Sequence, residues 1–153
     1  MKEKGGILIY RVNQGKLEVL LGHPGGPWNE HADEGSWSIP KGGRSEEDES
    51  LLYTARREFH EETGFSTKKG PYLNLGDSSR KGRLLHIWAC QEEFDLSKFK
   101  SNTFEKEYPP GSGRIVETPE FDRVEYFDLD TAGSKISASQ KVFLDRLAKS
   151  VKI

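Results

Sequence analysis

Two apolar runs open the chain, Gly5–Val12 (GGILIYRV) and Leu17–Gly22 (LEVLLG), and the polar tetrad Asn13-Gln14-Gly15-Lys16 separates them. Runs of that length joined by an Asn/Gly turn predict a β-hairpin. The stretch 23–35 carries two prolines and three glycines among polar residues and reads as a loop. Trp37-Ser38-Ile39-Pro40 alternates apolar with polar positions and predicts a short strand that runs into Gly42 and Gly43. The period then changes. Leu51, Leu52, Ala55 and Phe59 recur at helical spacing, Ser45 or Ser50 is suited to the N-cap, and Gly64 after Thr63 is suited to a left-handed stop.

Beyond Gly64, Tyr72–Gly76 predicts a strand, and so does the stretch 84–94. In the latter Leu85, Ile87 and Ala89 alternate with Leu84, His86, Trp88 and Cys90. Apolar residues on both faces predict a central strand covered on two sides, with His86 packed as a structural residue. The stretch 99–113 has no apolar period and predicts a long irregular loop, of the kind that is functional or mobile. Val124–Phe127 predicts a last strand, and Asp128 or Ser137 opens a helical C-terminal part striped by Val142, Phe143, Leu144, Leu147 and Val151. No repeat or linker interrupts the pattern, so residues 1–153 read as a single domain. Strands on either side of one helix and a second helix at the end make it α/β or α+β, a mixed sheet with helices on both faces.

Composition narrows the function classes. A net charge of −2 gives no global attraction to DNA or RNA, so an anionic substrate must be drawn by local Lys, Arg or metal. A single cysteine, Cys90, excludes an internal disulfide and a cysteine-based zinc site; inside its apolar run it reads as a buried thiol. The four histidines lack metal-ligand spacing. There is no apolar run long enough to span a bilayer and no signal peptide at the N-terminus, so a cytoplasmic protein without membrane attachment is expected.

The chemistry concentrates in Gly43–Phe65, GRSEEDESLLYTARREFHEETGF. On a helix, Glu58, Glu61 and Glu62 stand at i, i+3 and i+4 and crowd their carboxylates on one face. Like charges at that spacing call for a cation, and clustered hard oxygen donors suit Mg²⁺ or Mn²⁺. Arg57, four residues before Glu61, is placed to orient the glutamates with a fixed guanidinium. Gly43 lets backbone approach an ion. Lys41 is a candidate phosphate contact, while His23 and His31 either touch substrate or face water. Trp37 and Tyr108 are candidate surfaces for a base, although a tryptophan at position 37 is more often core than a stacking platform.

As a pattern the stretch reads G-x5-E-x7-R-E-φ-x-E-E-x-G-φ, with Phe59 and Phe65 at the bulky apolar positions φ. It resembles the Nudix hydrolase signature at every defined position. The resemblance implies an α/β/α sandwich whose signature forms a loop–helix–loop against a mixed sheet. It implies divalent-metal-dependent hydrolysis of a phosphoanhydride in a nucleoside diphosphate linked to another group. Glu58 and Glu62 match the principal metal ligands, Glu61 lies close by, and Glu49 matches a residue that supports the helix. The general base is then a signature glutamate or one on a later loop. Glu105 and Glu107 are the candidates there, with Glu107 favoured because Tyr108-Pro109-Pro110 stiffens the backbone beside it.

Two flanking stretches, WSIPKGG and SNTFEKEYPP, resemble a bacterial branch of predicted nucleoside triphosphate pyrophosphohydrolases. The Pro-Lys-Gly approach also resembles diadenosine polyphosphate hydrolases. Trp28, Phe104 and Tyr108, together with Lys41, Lys106 and Arg114, rank a dinucleoside polyphosphate such as diadenosine tetraphosphate first. Nucleoside triphosphates and ADP-ribose stand as alternatives. A nucleotide-sensing module without catalysis and an RNA-decapping enzyme are further alternatives; the intact acidic positions disfavour the first and the near-neutral charge the second.

Overall fold

The structure is a computed structural model and describes residues 2–68 and 70–152. Strand β1 (Lys2–Asn13) and strand β2 (Lys16–Pro24) form the expected hairpin. Asn13 pairs with Lys16, and Gln14 and Gly15 between them both take positive φ, which the twist of a two-residue hairpin turn demands. Strand β3 (Lys41–Gly43) pairs antiparallel with the first half of β1 and leads to helix α1 (Leu51–Thr63). Strands β4 (Tyr72–Arg80) and β5 (Arg83–Gln91) follow, then β6 (Thr103–Glu107), β7 (Ile115–Pro119) and β8 (Phe121–Asp128). Helices α2 (Leu129–Lys135) and α3 (Lys141–Ser150) close the chain. The main sheet runs β4-β5-β1-β2-β8, mixed because β5 lies parallel to β1 while the other neighbours are antiparallel.

Alternation along β1 explains the layers. Ile7 and Ile9 join Leu20, Cys90, Phe121 and Val124 under Ala55 and Phe59 of α1. Leu8 and Tyr10 join Val19, Leu21, Ile87 and Ala89 under Ala132, Phe143, Leu144 and Leu147 from the other two helices. The sheet is therefore covered on both faces, and β5 is an interior strand as its two apolar faces foretold. Cys90 is buried. His86 is half-buried rather than packed in the core: it stacks on Trp88 and bonds Asn74 Oδ1 at 2.6 Å.

Two local expectations are corrected. Trp37–Pro40 forms only isolated bridges, Ser38 to Gly22 and Trp37 to Ile136, and the regular strand is the next three residues. The stretch 99–113 is not an irregular loop, for β6 and β7 pair there as a separate two-stranded ribbon. It shows no apolar period because the ribbon stands off the main sheet and buries only Thr118. Its root is tied to the end of α1 by Asn102 N–H donating to Glu61 O (2.8 Å) and Lys100 N–H to Thr63 O (2.9 Å).

Phe59 is fully buried between α1 and the sheet. Phe59→Ala is expected to cost about 3–5 kcal/mol in urea unfolding, whereas exposed Val12→Ala stays within about 0.5 kcal/mol. Equal effects would contradict the layer assignment.

Candidate active site

Helix α1 starts where its cap chemistry allows. Ser50 has extended backbone and its Oγ accepts from Tyr53 N–H at 3.1 Å, so of the two candidate serines Ser50 is the N-cap. At the other end Gly64 takes φ 79°, the left-handed stop expected of it. The loop before the helix is organised by Asp48, which sequence reasoning passed over. Its buried carboxylate accepts from Ser45 N–H (2.9 Å), Thr54 Oγ1 (2.8 Å), and Arg57 Nε and Nη2 (3.1 and 2.9 Å). Those bonds, the Arg57 ones foremost, hold its carboxyl far below the usual range against the cost of burial. Glu49 is exposed and lies outside the helix. The signal that could have exposed Asp48 is the fork of Arg57 itself, whose five donors fan out in more directions than glutamates on one side of it can meet.

Arg57 is the hub of the site. Nη1 donates to Glu58 Oε1 and Glu61 Oε2, both at 3.0 Å, and Nη2 also donates to Gly43 O at 3.1 Å. A carbonyl oxygen has two lone pairs, so that bond does not exhaust Gly43. Glu61 is the most exposed of the three signature carboxylates and leans toward Arg57.

Glu62 turns the other way, toward β3, and Glu58 spans the two, with one oxygen on Arg57 and its carboxyl against β3. Glu62 is 6% exposed and its Oε1 accepts from Lys41 N–H at 3.3 Å. Burial, then the hydrogen bond to Glu58 and that residue's charge, push the Glu62 carboxyl well above the ordinary range. The Glu58 carboxyl lies over Gly42, where any Cβ would collide with it, so only glycine leaves that group its place. Glu120, in the turn from β7 to β8, adds a third negative charge to this pair, and partial desolvation followed by the Glu58 charge raises its own carboxyl. Nothing in the local sequence marks Glu120; the pairing of its neighbours brings it here. Lys41 is pushed down by burial and then by Lys4, while Glu62, Glu120 and Glu58 pull it up.

Among the described residues no three His, Cys, Asp or Glu side chains converge as a finished metal cage. The donor set nevertheless fits a divalent cation. Burial and the neighbouring Glu58 disfavour charge on Glu62, and a hard cation held between the two carboxyls would offset that cost.

The other candidates scatter. Glu107 turns back on its own hairpin, accepting from Gly111 N–H (2.6 Å) and Gly113 N–H (3.2 Å). It is not among the charges acting on Glu62. Glu105 is exposed on β6. Trp37 is 1% exposed, its Nε1 donates to Asp33 at 3.0 Å and its ring packs on His23 and Phe127. With no open face it is a core residue and not a platform for a base. His23 is equally buried, its ring nitrogens bonded to Asp122 Oδ1 and Ala32 O, and His31 is exposed. Tyr108 is half-buried beside Trp28 at 5.2 Å between ring centroids, with Phe104 at 6.4 Å and Lys106 Nζ 4.5 Å over the Trp28 ring.

Unfolded, Asp48 titrates near ~3.9; folded, it titrates lower, so its contribution is fully present above about pH 4 and is lost as pH falls through the folded value. Asp48→Asn is expected to lose on the order of 2–3 kcal/mol at pH 7, and the gap to wild type should narrow in acid. Glu49→Gln should stay within about 0.5 kcal/mol. Denaturation of the three proteins across pH checks this, and equal losses for both variants would return the support of the helix to Glu49.

The model of the family described as NUDIX domain matches residues 3–147. Among solved structures the chain is similar to the Ap4A hydrolase of C. elegans in a binary complex, at 19% identity and a TM-score of 0.63 over 98% of this chain and 97% of that one. It is similar to the NUDIX domain of Shewanella oneidensis NrtR complexed with ADP ribose (16%, TM-score 0.66, 98% and 88% covered) and to the mutator MutT protein from Bacillus halodurans (19%, TM-score 0.56, 95% and 80% covered). No curated protein matches. At these identities the neighbours testify to the fold, whereas the family model spans nearly the whole chain. Nudix enzymes generally use divalent metals, in keeping with the carboxyl pair on α1. The chain belongs to the NUDIX family.

Proposed function

We propose that residues 1–153 form one hydrolase domain that cleaves a phosphoanhydride in a nucleoside diphosphate linked to another group, with a dinucleoside polyphosphate such as diadenosine tetraphosphate as its best substrate. The observation that carries the reaction is the buried pairing of Glu58 with Glu62 beneath Gly42, with Glu120 at its rim. Glu58 and Glu62, with Glu61 and the Gly43 carbonyl beside them, would hold Mg²⁺ or Mn²⁺. Such an ion neutralises phosphate oxygens and lowers the pKa of bound water. Arg57 keeps Glu58 and Glu61 aimed without entering the reaction itself. Lys41 ties β3 to this centre through its backbone N–H on Glu62, and its side chain offers a cation to phosphate on the opposite side of β3.

The proton of the attacking water goes to Glu120. Its raised carboxyl beside Glu58 suits a base, whereas Glu107 already accepts two backbone N–H groups of its own turn. Substrate choice rests on the half-buried aromatic group of Trp28, Phe104 and Tyr108. Lys106 lies over Trp28, so this group offers a base a stacking partner and a cation together. The likeness to the C. elegans Ap4A hydrolase and to the ADP-ribose-bound NrtR domain supports nucleotide substrates of this kind.

Glu58→Gln and Glu62→Gln should lower kcat roughly 10²-fold or more with the fold intact, since removing clustered negative charge does not harm the helix. Glu120→Gln should depress kcat with KM nearly unchanged, and Glu107→Gln should leave kcat close to wild type. Steady-state assays with Mg²⁺ and Mn²⁺ decide it: an active Glu62→Gln enzyme sinks the metal assignment, and the reverse ranking of Glu120 and Glu107 exchanges their roles. In the same assays diadenosine tetraphosphate should show a higher kcat/KM than nucleoside triphosphates or ADP-ribose, and Trp28→Ala should raise its KM. A clear preference for either competitor would leave the pyrophosphohydrolase without the dinucleotide.

A further inference from the structure

The register of the sheet puts a second set of charges on the face opposite α1. Lys4 pairs with Leu85, Ser78 pairs with Leu85, Arg80 pairs with Arg83, and Lys41 pairs with Gly6 two residues along from Lys4. Paired residues share a face, so Lys4, Lys41, Arg80 and Arg83 all project to the side on which α2 and α3 pack. Those helices cover the middle of that face, over Leu8, Leu21, Ile87 and Ala89. At the end of the face where β1 and β5 begin, Ser139, just before α3, is the one described residue of that layer that reaches the opening. A cavity of about 550 Å³ remains there, lined by Lys4, Lys41, Arg80, Lys81 and Arg83.

Three features give this cavity a chemistry. Among the described residues no carboxylate lines it, and none of its five cations makes an ion pair there, in a chain whose net charge is −2. Lys41 alone feels the glutamates across β3; gathering the other like charges without a paired carboxylate is unfavourable, and a bound polyanion relieves it. Two of the cations are guanidiniums, whose planar fork suits phosphate oxygens. No aromatic side chain lines the cavity either, so it offers phosphates many donors and a base no stacking surface. One residue links it to the reaction centre. The Lys41 N–H bonds Glu62 on one side of β3 while the rest of that residue lines the cavity on the other.

We propose that this cavity is a polyphosphate subsite, taking the phosphates that extend beyond the diphosphate at Glu58 and Glu62. The favoured substrate then carries more than two phosphates, which sets it apart from ADP-ribose. The proposal rests on the reading of this site as a phosphoanhydride hydrolase. It adds Lys4, Arg80, Lys81 and Arg83 as residues that select chain length.

The test separates the subsite from the reading on which it rests. Arg80→Ser/Arg83→Ser removes two exposed side chains at a strand turn, and a thermal melt verifies that the variant is folded. Binding of inorganic tripolyphosphate is measured in metal-stripped buffer, where the glutamates repel it and the cavity alone is read. Wild type should bind it in a salt-sensitive manner, and the variant roughly tenfold or more weakly. Kinetics with Mg²⁺ should show kcat/KM for diadenosine tetraphosphate falling at least roughly tenfold relative to that for ADP-ribose, chiefly through KM. Unchanged tripolyphosphate binding in the variant, or none by wild type, overturns the subsite even if nucleotides are hydrolysed. Weakened binding without hydrolysis of any nucleotide leaves the subsite standing and removes the reading of the reaction. An unphosphorylated RNA oligonucleotide that displaces tripolyphosphate at comparable concentration would instead assign the cavity to a nucleic-acid backbone, and the proposal would fail.

Discussion

One guanidinium fixes the geometry on which this site depends. Arg57 presents donors to a buried aspartate, a backbone carbonyl and two glutamates at the same time. Three glutamates on one helical face repel one another, and a helix of ordinary stability would splay or protonate them. Here the positive charge sits inside the acidic group, clamped from behind by Asp48. The clamp spans the loop and the helix, so the loop carrying Gly43 and the helix carrying the glutamates move as one body.

The sheet supplies the second constraint. β1 is buried on both faces, and its first half carries β3 on one side and β5 on the other. The alternation of β3 then assigns its residues to different tasks. Gly42 stays bare under the Glu58 carboxyl, and Lys41 carries charge to the opposite face. Three residues of strand thus connect an acidic site under α1 to a basic cavity beside α3.

The apolar pattern disclosed the layers because β1, β5 and α1 each bury the face that their period marks. The helix caps were legible for the same local reason, the serine at position 50 and the glycine at 64 acting within their own turn. What escaped was decided by partners distant in the chain. Glu120 approaches Glu58 only because β8 pairs with β2, and no local spacing announces that. Asp48 looks like one more member of the acidic run SEEDES until Thr54 and Arg57 close on it. The β6–β7 ribbon hid because strands that bury almost nothing leave no alternating stripe, and the two readings of Trp37 stayed open because burial, not residue type, separates a core ring from a binding ring. Even the net charge misled locally, since a total of −2 conceals five cations gathered in one cavity.

The ribbon has a consequence for how such an enzyme diversifies. It pairs only with itself, is anchored at its root to the last turn of α1, and carries Phe104 and Tyr108 outward to Trp28. Residues can be added to or removed from its tip in cross-strand pairs while the register at the root stays as it is. The reach and the aromatic content of the arm can therefore drift from one lineage to another without altering the hydrolytic centre. Selection for new nucleotides can act on a part of the chain whose failure costs the protein little of its stability.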